Sequence, residues 1–117
     1  MDEGLAVGVT AVGGSDGESP RRLGGAVPRL RLVAVVDAVV GAEEAVRAYE
    51  DRVLALLGRH GGRLEGRLRS VDGRTEVQTI SFGDRAGYEA FLADPVRAGY
   101  RSEIGDVAPD TRVIWLR

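Results

Sequence analysis

His60 is the only histidine in the chain, and so the only side chain whose ordinary pKa lies near neutrality. An imidazole of that kind can act as general base toward an acidic carbon or a phenol, which makes His60 the candidate catalytic residue. It also sits where a helical stretch ends, before Gly61-Gly62. There a histidine can hydrogen-bond the last carbonyls and favour the helix dipole, a structural role that needs no substrate. A second constellation lies just downstream. In residues 63–71, Arg63, Glu65, Arg67 and Arg69 alternate with Leu64, Gly66, Leu68 and Ser70. Asp72-Gly73 reads as a two-residue turn, and residues 74–82 return as the partner strand. That register sets Arg69 opposite Glu76 and Arg67 opposite Gln78. One sheet face then carries Arg67, Arg69, Glu76 and Gln78, with Ile80 and Phe82 beside them and Leu64, Leu68 and Val77 behind. Lining a cavity, the arginines would stabilise an enolate or phenolate oxygen. On a solvated or interface face, the same four residues would amount to a cross-strand salt bridge. A one-residue bulge would reverse the parity.

Other chemistry is excluded by what is missing. The chain has no cysteine, and all 16 basic residues are arginine. A thiolate nucleophile, a disulfide, a lysine Schiff base and a phosphate-binding P-loop lysine are therefore impossible. One histidine cannot make a multi-histidine metal site within one subunit, and no spacing of acids suggests a carboxylate site, so no metal is expected. Gly13-Gly14-Ser15-Asp16-Gly17 lacks the strand–turn–helix context of a dinucleotide fingerprint and reads as linker. Glu43-Glu44 and Glu50-Asp51 read as solvated helix charges.

The elements that must position these groups follow from composition and period. At 117 residues and 44% hydrophobic, the chain has room for one domain. Residues 1–27, rich in Gly and Ser, read as a flexible tail, with Leu5–Val12 a possible edge strand; residues 28–117 form the domain. From Pro28 onward 14 arginines balance 14 acids, so the net charge of −2 belongs to the tail. A neutral domain argues against nucleic acid, and no apolar run is long enough to span a membrane. The acidic start, Met1-Asp2-Glu3, is unlike a signal peptide, and the absence of cysteine fits a reducing, cytoplasmic setting.

Residues 30–37, LRLVAVVD, predict a central strand buried on both faces. Gly41 to His60 predicts one helix, with Val46, Tyr49, Val53, Leu56 and Leu57 as its apolar stripe. Asp84 is placed to cap a second helix carrying Tyr88, Phe91 and Leu92. Asp94-Pro95 restarts it, running to about Ile104. Thr111 to Leu116 is the last strand, and Trp115 on it could stack on an aromatic substrate. The order is β-α-β-β-α-β, an α+β, ferredoxin-like arrangement on an antiparallel sheet.

The runs HGGRL at 60–64 and TEVQTISFGDRAGYEAFLADP at 75–95 resemble the dimeric α/β-barrel superfamily, above all its small DUF1330-type and antibiotic-biosynthesis-monooxygenase-type domains. The shared pattern is a helix ending in Gly-Gly, a hairpin, and a strand ending in Phe that leads into a capped helix and an Asp-Pro break. It covers roughly residues 29–117. The resemblance implies a homodimer whose sheets pack into a barrel, with a small-molecule cavity in each subunit. It also implies a cofactor-independent oxygenase or cyclase/isomerase acting on an aromatic or polyketide-like compound, or else a non-catalytic ligand-binding relative. Tyr100 would then border the cavity mouth. Arg67, Arg69, Glu76, Gln78, Tyr100 and Trp115 would contact the ligand.

Overall fold

In a computed structural model of the chain, residues 28–117 are described. The expected tail and its Leu5–Val12 strand lie outside them.

The strand read from β-branched residues forms as β1 (Leu30–Asp37). It takes the centre of a four-stranded sheet with β2 (Gly62–Arg69), β3 (Thr75–Phe82) and β4 (Asp110–Leu116), in the order β2-β3-β1-β4. Every neighbouring pair is antiparallel. The helices are α1 (Glu43–Leu54), α2 (Arg85–Leu92) and α3 (Pro95–Ile104). This is the α+β, ferredoxin-like βαββαβ order expected, with the second helical unit in two pieces.

Both apolar clusters of the core lie on one face of the sheet. Leu32 and Ala34 of β1 and Ile80 and Phe82 of β3 meet Tyr49 and Val53 of α1 and Phe91 of α2. Val36 meets Val46 at the far end. Phe82 is the hub, only 1% exposed. The rings of Tyr88 and Phe91 stand 5.5 and 5.7 Å from it in edge-on and tilted contacts, respectively, of the kind that aromatic quadrupoles favour. Val33 and Val35, of opposite parity on β1, are buried as well, as the unbroken apolar run predicts.

The expected single helix from Gly41 to His60 divides. Gly41 has φ +91° and precedes the helix. Helix α1 ends at Leu54, and Leu57–His60 form a separate 3-10 turn. Gly61 closes that turn at φ +73°, a left-handed conformation that glycine adopts without strain. Gly62 is required for a different reason: a Cβ there would lie 2.8 Å from the Phe82 ring. Asp84 and Asp94 cap α2 and α3 through the amides of Gly87 and Val96, each at 2.8 Å.

The hairpin keeps its register but differs in two details. Its turn is wider than two residues. Ser70 and Thr75 still pair, and the Asp72 carboxylate accepts from Ser70 Oγ and the Arg74 amide across the loop. Because the loop widens evenly on both sides, Arg69 still faces Glu76 and Arg67 faces Gln78. The second detail is a bulge at Glu65. It pairs Leu64 with Ile80, on the helix-side register, and leaves Leu68 with Val77 on the reverse. The expectation that Leu64 and Leu68 share a face is thus overturned. The extra residue serves a polar tie: Ser81 Oγ donates to Glu65 and accepts from Arg29 Nε.

Candidate functional site

Between sheet and helices lies a cavity of about 310 Å³. Leu32, Ala34 and Ile80 form its apolar floor. Tyr49, Phe82, Tyr88 and Phe91 bring four aromatic rings to its walls. Tyr49 follows the α1 stripe, while Tyr88 and Phe91 share the α2 face fixed by the Asp84 cap, so core periodicity itself assembles this lining.

Its polar groups come from four elements, β4 contributing Asp110 and Thr111 beside those of α1, β3 and α3. Glu50 of α1 is 6% exposed and Gln78 of β3 is 2% exposed. Gln78 Nε2 donates to Glu50 Oε1 at 2.8 Å. Burial holds the Glu50 carboxyl above the usual carboxylate range, and the Glu76 charge adds to this. The Gln78 hydrogen bond, Arg67 and Arg97 pull the other way. Burial likewise pushes the Tyr49 phenol up, against the nearby Arg97 and Arg101. Arg97 and Arg101 line the cavity from α3. The Arg97 guanidinium lies 5.2 Å from the Phe91 ring centroid, and one of its terminal nitrogens donates to the Leu92 carbonyl at 3.4 Å. Its Nε is buried without a hydrogen-bond partner.

The sequence-expected residues are partly gathered here. Gln78 is on the cavity wall. Glu76, also buried, pairs with Arg67, whose other arm reaches Asp51 of α1 at 2.8 Å. These three form a closed charge group beside the cavity. Arg69 is exposed and takes no part in it, although it is the residue opposite Glu76. Tyr100 packs against the main core cluster without lining the cavity, and the Arg52 guanidinium stacks 4.0 Å over its ring and pairs with Glu103. Trp115 is 38% exposed and stands behind Tyr88 at 4.8 Å, with Arg85 against its own ring at 4.9 Å. His60 is clamped elsewhere. Its Nε2 is 2.7 Å from Asp94 Oδ2, and its ring meets Phe91 edge-on. Asp94 is held below the usual aspartate range by that bond first and by the Val96 amide next. His60 therefore ties the 3-10 turn to the cap of α3, and it is not among the cavity-lining residues.

No family model matches the chain, and no curated protein matches it in sequence. Solved structures do. A candidate antibiotic biosynthesis monooxygenase from Bacteroides thetaiotaomicron superposes with TM-score 0.67 at 16% identity, over 80% of this chain and 91% of that one. SnoaB, a cofactor-independent oxygenase from Streptomyces nogalater, gives 0.62 at 17% over 78% and 95%. An uncharacterised NIPSNAP domain protein from Burkholderia xenovorans gives 0.59 at 19% over 75% and 92%.

The chain shares the fold of these solved structures.

At these identities the likeness concerns the fold alone, and chemistry must be argued from this chain's own side chains. Within this fold, two residues stand where the sequence did not mark them. Glu50 was expected to be a solvated charge and is buried. Its position gave a usable signal, because Val46, Glu50, Val53 and Leu57 run i, i+4, i+7, i+11 along one stripe. Arg97 carried no such mark. It is one arginine among 16, and only the tertiary structure sets it against Phe91 at the cavity. Asp51 remains exposed, as expected of a solvated helix charge, and makes an ion pair with Arg67. Among the described residues no helix is long and apolar enough to cross a membrane.

Proposed function

We propose that this chain is a cofactor-independent small-molecule enzyme, an oxygenase or a cyclase/isomerase, that takes an aromatic or polyketide-like compound into the cavity beneath its helices. The observation that carries this reading is the make-up of that cavity. Four aromatic rings enclose about 310 Å³ beside the buried Glu50–Gln78 pair and an arginine. That volume falls at the small end of ligand sites, roughly 300–1,000 Å³, and apolar walls with a few convergent polar groups are their usual composition. The fold shared with a cofactor-independent oxygenase supports it further. Gln78 contacts the ligand directly, while Arg67 and Glu76 hold the β2–β3 end of the wall in place.

The working form is a homodimer that uses the sheet face turned away from the helices. Both apolar clusters sit on the helical side, while Leu68 on the reverse parity is 75% exposed. A second copy would cover such a surface. Sedimentation at micromolar concentration should give a dimer; a monomer would remove this part of the reading.

The functional test is a calorimetric screen of aromatic acids, naphthols and polycyclic phenols against the full chain. Oxygen uptake and product formation are followed for every binder. Binding that is lost on narrowing the floor with Ala34→Leu is the expected result. Binding without turnover of any binder would favour a ligand-binding accessory protein, and no binding at all would remove the cavity as a site.

A further inference from the structure

Arg97 and Arg101 stand one turn apart on α3, and both line the cavity. Residues spaced i, i+4 share a helix face, and like charges there repel. Arg97 also lies in the first turn of α3, the end of a helix where the dipole disfavours a cation. The acid at that end, Asp94, is spent on His60 and on the Val96 amide. Elsewhere in the fold such cations are answered by acids. Arg52 pairs with Glu103, Arg67 with Asp51 and Glu76, and Arg85 with Glu89. Among the described residues neither Arg97 nor Arg101 makes an ion pair. Their charge is felt inside the cavity all the same. Both oppose the rise that burial imposes on the Tyr49 phenol, and Arg97 does the same for the Glu50 carboxyl.

The lining residues that are exposed mark the mouth of the cavity: Leu92, Arg101, Asp110, Thr111 and Val113. Leu92 and Val113 carry the apolar lining out to the surface. Asp110 is the acid there, so with Arg97 just inside, two cations stand against one anion. The deep end is different. Glu50 lies there, and burial already disfavours its charge.

We propose that the cavity takes an aryl carboxylate, with its rings among the four aromatic walls and its carboxylate at the mouth on Arg101. The inference rests on the ligand cavity proposed above and names its ligand class. Arg101 is exposed, so its guanidinium can turn onto a planar carboxylate and bond it with two parallel N–H groups. Arg97 adds positive charge from behind; its Nε–H is buried and takes no part. A carboxylate at the mouth keeps part of its hydration, which spares the cost of burying a charge. The reverse orientation would bring a second carboxylate beside Glu50 in the buried end, where neither anion is solvated. A neutral aromatic of the same size would fill the walls and leave both arginines without an anion.

The test compares 2-naphthoate with two neutral compounds of the same ring system, 2-naphthamide and 2-naphthol, by calorimetry of the full chain at pH 7. Wild type should bind naphthoate about tenfold more tightly than naphthamide, the gain expected of one charge-assisted pair. High salt should shrink that preference. Arg101→Gln, a change at an exposed position, should remove most of it and leave naphthamide affinity unchanged. Arg47→Gln, on the exposed face of α1 and outside the cavity lining, removes the same charge from the chain and should change neither. Ala34→Leu, which narrows the floor, should weaken all three compounds. Equal wild-type affinity for naphthoate and naphthamide would overturn the proposal. So would a naphthoate loss in Arg101→Gln no larger than in Arg47→Gln, or naphthoate binding that survives Ala34→Leu. In each of those cases binding of the neutral aromatics would leave the cavity reading standing. If no aromatic binds at all, that reading fails as well.

Discussion

Two arginines border the same buried carboxyl and are treated in opposite ways. Arg67, from the hairpin, is held by Glu76 on one side and Asp51 on the other. Arg97, from α3, lies over a phenyl ring with its Nε unmatched. Both influence the Glu50 charge. The difference is one of saturation. A guanidinium whose partners belong to the protein fastens α1, β2 and β3 together, and it has little left to offer a ligand. A guanidinium with a buried, unmatched donor carries a desolvation cost that no partner in the protein offsets. A site is therefore better located by what its polar groups lack than by how many of them cluster.

The largest expected effect tests the saturated side. Arg67→Met leaves Glu76 buried without its cation and Asp51 without a reason to stay docked. The loss should be about 2–3 kcal/mol, or roughly 10–20 °C in melting temperature for a domain of this size. Binding of a cavity ligand, measured well below that melting point, should change much less. A variant that melts like wild type would mean the Arg67 group is surface decoration, and the contrast between the two arginines would collapse.

A smaller effect is expected at Glu50, and its sign depends on pH. The folded carboxyl titrates above its ordinary value of 4.5 because it is buried. Its contribution to stability is fully present below that ordinary value, where both folded and unfolded chains carry it neutral. The contribution is lost as pH rises through the raised folded value, since ionisation is easier in the unfolded chain. Glu50→Gln preserves shape and removes the titration. It should melt at a higher temperature than wild type near neutral pH and lose the advantage below about pH 4. Parallel melting curves from pH 4 to pH 8 would show that Glu50 reaches water.

How far the sequence revealed all this depends on the kind of signal. Elements written in period or in caps were readable: β1 from its β-branched run, α2 from Asp84, α3 from Asp94-Pro95, and the β2–β3 register from the turn residues. The break after Leu54 was not, because no glycine or proline marks positions 55 and 56. There the burial of Leu56 and Leu57 overrides local propensity. The bulge had a faint mark in Gly66, since glycine inside a strand often signals one, but its cause is the distant Arg29–Ser81–Glu65 tie. The site was the least legible part. Arg67, Glu76 and Gln78 were drawn together by pairing rules that see only neighbouring strands. Glu50 and Arg97 join them from helices, and which arginine keeps an unpaired donor depends on all the acids placed by the fold.

His60 offers a third, weaker test of the same idea. Its ring nitrogen is spent on Asp94, so it belongs with Arg67 on the saturated side. His60→Gln should lower stability modestly and leave ligand affinity and turnover unchanged. Asp94 should show the acid limb. Its carboxyl titrates below the ordinary 3.8 because His60 and the Val96 amide favour the charged form. The stability it contributes is present above that ordinary value and lost as pH falls through the lowered one. In His60→Gln that acid loss should become shallower. A large drop in turnover with stability intact would place His60 in the chemistry after all.

The smallest stability effect is expected at Arg97, and for the argument it is the most telling. Arg97→Met removes a charge, a long 3.4 Å bond to the Leu92 carbonyl and a buried donor with no acceptor. Losing the bond costs a little, and losing the unsatisfied donor gives something back. The methionine chain still covers Phe91 with apolar surface and makes favourable sulfur–aromatic contact. The net change should stay within about 0.5 kcal/mol of zero, in either direction, as read from urea unfolding at pH 7. The two arginine substitutions remove the same chemical group, so a difference of about 2 kcal/mol between them measures what saturation alone is worth. If Arg97→Met proves as costly as Arg67→Met, then its Nε is satisfied in solution and Arg97 is a structural residue.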